Sequence, residues 1–122
     1  MNAELAAAVL TQARSDAELT VFDGPAPDGA VPPYIVLYLS VDREYPTRLA
    51  ATTDQAANRI TTHSVGANTT AARIVADRLR AVFLDQRISG GLIRHSEGRP
   101  LDVDESTGTR WWDQVDVWTF TN

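Results

Sequence analysis

The stretch from Val65 to Gln86 constrains this chain more than any other part of it. It opens on a turn at Gly66, followed by Asn68 and Thr69, whose side-chain oxygens can accept from the otherwise unpaired N–H groups of a first helical turn. Ala72, Val75, Ala76, Leu79, Val82 and Phe83 then recur at three- and four-residue steps and line one face of a helix of about five turns. Arg73, Asp77, Arg80 and Asp85 point elsewhere. The residues before this stretch alternate as a strand, and those after Ile88 read as strands too. A long helix between two runs of strand must lie across a sheet and bury its stripe against it.

The remaining elements fit that arrangement. Residues 2 to 14 read as a first helix with Asn2 as its cap and a thin stripe of Leu5, Val9 and Ala13. A short strand is expected over Leu19–Phe22, and then a loop, DGPAPDGAVPP, runs from Asp23 to Pro33. Tyr34–Asp42 is the clearest strand: Ile35, Leu37, Leu39 and Val41 share one face, and Tyr34, Val36, Tyr38 and Ser40 the other. Both faces are apolar, so the second needs cover, from the protein itself or from a partner. From Arg43 to Asn58 the pattern weakens and Pro46 interrupts it, which reads as strand ends with an excursion between them. Arg59–Val65 is a β-branched strand. Leu92–Arg94 and Pro100–Val103 are short strand candidates, Asp104–Gly108 an acidic turn, and Trp111–Thr121 a final strand. The expected fold is α+β, a mainly antiparallel sheet with two helices on one face, in the order α-β-β-β-α-β-β, within a single domain over residues 1–122.

Composition narrows the chemistry. There is no cysteine, and all eleven basic residues are arginine, so thiol nucleophiles, disulfides and lysine Schiff bases are excluded. A net charge of −5 argues against a sequence-independent grip on nucleic acid. No apolar run reaches the roughly 18 residues of a membrane span. Ala6–Leu10 follows Glu4 without a basic lead, unlike a signal peptide, so the chain reads as soluble and cytoplasmic. His63 and His95 are the two histidines. His95 and Glu97 fall short of the three or four ligands of a metal site, and Asp102, Asp104 and Glu105 lack the spacing of a calcium loop. No serine lies in a G-x-S-x-G elbow, and Gly90-Gly91 lacks the surroundings of a phosphate loop. The chain is therefore expected to be no enzyme, with no cofactor and no metal.

Interaction features are stronger. Trp111 and Trp112 are adjacent strand residues and must face opposite ways, so one points away from the core unless a second layer covers it. Tryptophan is enriched where proteins meet partners, which makes this pair a candidate contact.

Taken together, the N-terminal helix, FDGPAPDGAVPPYIVLYLS, HSVGANTTAARIVADRLRAVFL and the closing WWDQVDVWTF resemble the tail terminator proteins, minor tail proteins of long-tailed bacteriophages. The resemblance spans nearly the whole chain and carries no catalytic fingerprint. It implies a homohexameric ring that caps the tail tube, stops its polymerisation, and docks the head-completion or connector protein. It implies a place at the head-proximal end of the virion tail after assembly in the host cytoplasm, with genomic DNA passing through the lumen without specific binding. Arg43, Tyr45, Arg48 and Arg59 are then candidate contacts with the tube or with adjacent subunits, and Trp111 or Trp112 a subunit contact. Another neck, connector or minor tail protein of the same particle is the nearest alternative. A small ligand-binding domain or enzyme using His63 or His95 on the open sheet face is the other.

Overall fold

The computed structural model describes residues 3–46, 53–105 and 109–121. Helix α1 spans Ala3–Ala13, followed by strands β1 (Val21–Asp23), β2 (Tyr34–Pro46) and β3 (Thr53–Gly66). Helix α2 spans Thr69–Phe83, and β4 (Arg87–Ile88), β5 (Gly91–Gly98), β6 (Asp102–Asp104) and β7 (Trp111–Thr121) complete the order. The strands form one sheet ordered β1-β2-β3-β7-β5-β4. Strand β6 continues the line of β5 along the same side of β7: Gly98 pairs with Asp116 and Asp102 with Asp113. All pairings are antiparallel except β1 with β2. The α+β order expected from the sequence is the one observed, with its closing strands cut into four segments.

Helix α2 is built as its sequence dictates, though at 15 residues it is nearer four turns than five. The Ala71 N–H donates to Asn68 Oδ1 at 2.8 Å, closing the first turn. Ala72, Val75, Ala76, Leu79 and Phe83 are buried, and Val82 packs at their margin. The helix ends where the Leu84 N–H bonds Arg80 O at 2.9 Å. Ser89 and Gly90 then supply the two positive φ angles, 48° and 83°, of a two-residue hairpin turn joining β4 to β5.

Gly66 explains how α2 comes so close to the sheet. A Cβ at this position would overlap Ala72 N and lie 2.8 Å from Ala71 C, so only glycine lets the first helical turn sit directly over the end of β3.

The two helices lie on one face of the sheet. Leu5, Val9 and Ala13 of α1 and the α2 stripe close over Ile35, Leu37, Ile60, Ile93, Trp118 and Phe120. Each large side chain fully buried here contributes about 1.5–3 kcal/mol, so this layer carries most of the fold's stability. Gln12 Nε2 donates to Val82 O at 2.7 Å, tying the two helices together.

Strands β2 and β3 run further than the sequence pattern suggests. Their pairing continues from Tyr34↔Val65 to Pro46↔Thr53, through a bulge between Val41 and Arg43. Pairing of β3 with β7 begins at Ala57, and β1 pairs with β2 at Ile35–Leu37. Residues 43–46 and 53–56 therefore form a two-stranded arm, and among the described residues no third strand flanks it. The segment read from sequence as an interrupted excursion is thus mostly paired strand. Pro46 stands at the strand's last position, where a missing N–H costs the ladder least.

Candidate functional site

The face of the sheet opposite the helices holds the most site-like arrangement of side chains. The loop after β1 folds partly over it: Phe22, Ala26 and Ala30 pack with Tyr34, Val36, Val65 and Trp111. Phe22 and Tyr34 meet edge to face at 5.6 Å, and Tyr34 and Trp111 at 6.2 Å. The cover expected for the second apolar face therefore comes in part from the chain's own proline-rich loop.

Two clefts remain beside this loop. One, about 400 Å³, lies between Ala26–Val31, Tyr34, Thr109 and Trp111. The other, about 430 Å³, is floored by Val36, Tyr38, His63 and Val65 with Asp113 at its side. Ala26 and Tyr34 line both, so the two are parts of one open groove. Val31 is 77% exposed at one end and Tyr38 is 44% exposed at the other.

His63 and Asp113 lie on neighbouring strands, with His63 paired to Val115 and Val65 to Asp113. His63 Nδ1 donates to Asp113 Oδ2 at 2.8 Å, which directs Nε2 away from the carboxylate. Tyr38 stands edge-on to the imidazole with ring centres 5.7 Å apart. Asp113 Oδ1 is buried without a hydrogen-bond partner. Chemically the groove offers an apolar floor, two phenolic rings, an imidazole and the carboxylate that holds it.

The second histidine belongs to the helix-covered side. His95 Nε2 donates to Asp116 Oδ1 at 2.9 Å, and its ring meets Trp118 edge to face at 4.9 Å. Trp118 Nε1 donates to Thr62 Oγ1 at 3.1 Å, and Thr62 Oγ1 to Asp116 O at 3.4 Å. This chain of bonds satisfies polar groups inside the core layer and has the character of a packing device. Among the described residues, no three histidine, aspartate or glutamate side chains gather as a metal site would require.

The residues singled out from sequence do not gather in one place. Arg43 and Tyr45 lie on the arm, paired with Ala57 and Gln55. Arg48 lies outside the described residues. Arg59 is exposed in mid-strand between Ser40 and Thr119. Trp111 and Trp112 are both half-buried at the far end of β7, Trp111 against Tyr34 and Trp112 in register with Gly66. Arg43 and the tryptophans are separated by roughly 30 Å of strand, the run of β3 from Ala57 to Gly66 at about 3.3 Å per residue. Sequence reasoning missed Asp113 and the small residues Ala26 and Ala30. The alternation of the closing strand puts Asp113 on the face of Trp111, but its meeting with His63 requires the β3–β7 register.

No protein-family model matches the chain, and no curated protein matches it. Among solved structures, the fold is similar to that of a chain from the virion of a native gene transfer agent particle. The two are 18% identical with a TM-score of 0.62, and the similarity covers 99% of this chain and 100% of the other. At this identity the likeness establishes the fold. Among the described residues, no helix is long and apolar enough to cross a membrane.

Proposed function

We propose that this chain is a virion structural protein of the tail-terminator kind, forming a hexameric ring that caps the tail tube, stops its growth and presents a docking surface to the head-completion protein. The observation that carries the reading is the end-to-end similarity to a virion component, with both chains covered almost completely. The resemblance of the sequence segments to tail terminators points to the specific place within the particle.

Three physical features support the reading. The β2–β3 arm extends a two-stranded ribbon beyond the sheet, and such ribbons are marginal in water without a packing partner. The groove side of the sheet leaves aromatic surface uncovered. A ring is made by heterologous contacts, in which a subunit presents one surface and receives a different one, and an arm and a groove at opposite ends of the sheet are two such surfaces. The net charge of −5 suits a lumen through which DNA slides without being held. The role calls for no catalytic residue, cofactor or metal. The fold similarity is equally compatible with a connector or other neck protein, which would assemble on the head side and leave tube length unchanged.

The test is molar mass by light scattering after size exclusion across a concentration series, with negative-stain images of the same fractions. Rings of six subunits with a central hole are expected, either in solution or at the ends of polymerising tail tubes. Trp111→Ala and Arg43→Ala should impair ring or tail assembly while leaving the melting transition nearly in place. Tubes that grow past their normal length in the presence of the protein would overturn the terminator role.

A further inference from the structure

We propose that the two free edges of the sheet pair with each other between copies of this chain. Strand β2 beyond Leu37 in one copy lies antiparallel beside Arg94–Gly98 of β5 in the next, so that one sheet runs from subunit to subunit. This deepens the ring reading and rests on it.

Short neighbours leave both edges open. Strand β1 pairs with β2 only at Ile35–Leu37, and β4 pairs with β5 only at Gly91 and Leu92. From Tyr38 onward β2 has β3 on one side, and from Arg94 onward β5 has β7 on one side. Among the described residues, no strand stands on the other side of either. A row of unpaired N–H and C=O groups at a sheet edge is a template for another strand.

The bonds that are made show where the unmade ones point. The Ile35 N–H donates to Thr20 O at 2.8 Å, and Leu37 O accepts from the Gly24 N–H at 2.9 Å, both on the β1 side. Strand residues alternate, so Leu39 turns its N–H and C=O to that same side, where β1 has ended. On β5, the Ile93 N–H donates to Gln86 O at 2.9 Å, and Ile93 O accepts from the Asp85 N–H at 3.0 Å. By the same alternation His95, two residues on, turns its backbone groups to the open edge. Leu39 pairs with Ile60, Ile60 with Trp118, and Trp118 with His95, so the two outward-facing residues stand level on opposite edges.

Strand direction fits as well. Three antiparallel pairings separate β2 from β5, so the two run in opposite senses. A rotation that repeats the subunit about an axis along the strands keeps those senses, and β5 then meets the next β2 antiparallel. Within one subunit the two edges are three strand spacings apart, roughly 14 Å, and cannot meet each other. Between copies, Leu39 and His95 exchange two N–H···O bonds. Each subunit then keeps one edge of each kind for its neighbours, which is the condition for ring closure.

Hydrogen exchange read by mass spectrometry tests this on the wild-type chain, as free subunit and in the assembled state, in solution or on tail tubes. The segments holding Leu39 and His95 should together exchange about tenfold more slowly or better once assembled, as amides closed into a ladder do. A second measurement reads the register. The protein has no cysteine, and Ser40 and Arg94 are exposed and level with each other, beside the Leu39–His95 pair. In the proposed ladder their Cα atoms lie about 4.5 Å apart, within reach of a disulfide. Ser40→Cys and Arg94→Cys chains, mixed and oxidised with one carrying a mass tag, should give a linked heterodimer on a non-reducing gel. Linked homodimers of Ser40→Cys alone would mean that β2 meets β2 in a two-fold contact, and would overturn this inference. Rings in which both segments exchange as fast as in the free subunit would overturn it too, and leave the ring reading standing. A wild-type chain that forms no rings and leaves tube growth unchanged would overturn both.

Discussion

The two faces of this sheet are made by the same strands and have opposite characters. On the helix side, Ile35, Leu37, Ile60, Trp118 and Phe120 disappear beneath two helices, and Trp118, Thr62, Asp116 and His95 are bonded to one another, while Ser64 Oγ is buried without a partner. On the groove side, Tyr34, Val36 and Val65 are covered by one irregular loop, while Tyr38 stays 44% exposed and Asp113 keeps an oxygen without a partner. A face that stabilises the fold is closed to water. A face that is apolar yet unfinished has its remaining contacts elsewhere. Stability and assembly should therefore separate under mutation, and the contrast is open to test from the largest effect down.

Phe83 sits wholly buried at the end of α2, edge-on to Trp118 with ring centres 5.5 Å apart. Phe83→Ala should cost about 3–5 kcal/mol, the range for a deleted core aromatic, seen as a large fall in the denaturation midpoint. Gly66→Ala comes next. Its added methyl would meet helix backbone, which cannot swing aside as a side chain can, so a loss of about 1–3 kcal/mol is expected from chemical denaturation. A Gly66→Ala protein as stable as the wild type would mean that α2 lies further from the sheet than described.

The helix-covered face was legible in the sequence because burial writes a period into a chain. The α2 stripe, the alternation of Tyr34 through Val41 and the bounds of the closing strand, Trp111–Thr121, all follow from three- and four-residue or two-residue spacing. The arm was not legible for the same reason. Its segments around Arg43–Pro46 and Thr53–Ala56 flank no core of this chain, so no apolar alternation marks them as strands. The loop cover escaped notice because Ala26 and Ala30 sit among prolines and glycines with no period at all. The His63–Asp113 pair joins residues fifty apart, and only the strand register brings them together. What sequence alone conveyed well was the half of the molecule that holds itself together.

Smaller effects probe the helix layer at its edges. Asn68→Ala removes the cap of α2 and should cost about 1 kcal/mol, with Asn68→Ser close to neutral. Asp16 ties the turn after α1 to α2 through Arg78, at 2.9 and 3.1 Å, and Glu18 joins from the other side of the guanidinium at 2.8 Å. The Arg78 guanidinium and the Glu18 N–H hold the Asp16 carboxyl below the ordinary value of 3.8. A carboxyl whose folded value is lowered stabilises the fold at every pH above its unfolded value, and that share is lost as the pH falls through the folded one. Asp16→Asn should accordingly lower the melting temperature slightly at pH 7, and the difference from wild type should shrink as the pH falls below the ordinary carboxyl value and through the lowered folded one. A difference that stayed constant throughout that fall in pH would mean that shape, not charge, holds the two segments together.

The smallest expected change in stability is the most informative about the groove side. Tyr38 is a large side chain with nearly half its surface in water, and its contact with His63 is a single ring edge. Tyr38→Ser should move the unfolding free energy by no more than about 0.5 kcal/mol, as substitutions outside the packed interior do. If the groove is a docking surface, the same variant should lower the yield of rings or capped tubes severalfold, because the aromatic floor would be missing from the contact rather than from the fold. A Tyr38→Ser protein that melts many degrees lower would place Tyr38 with the core and erase the distinction between the faces. One that melts and assembles as the wild type would keep that distinction but move the docking surface away from the groove, toward the arm and the helix-side tryptophan, Trp112.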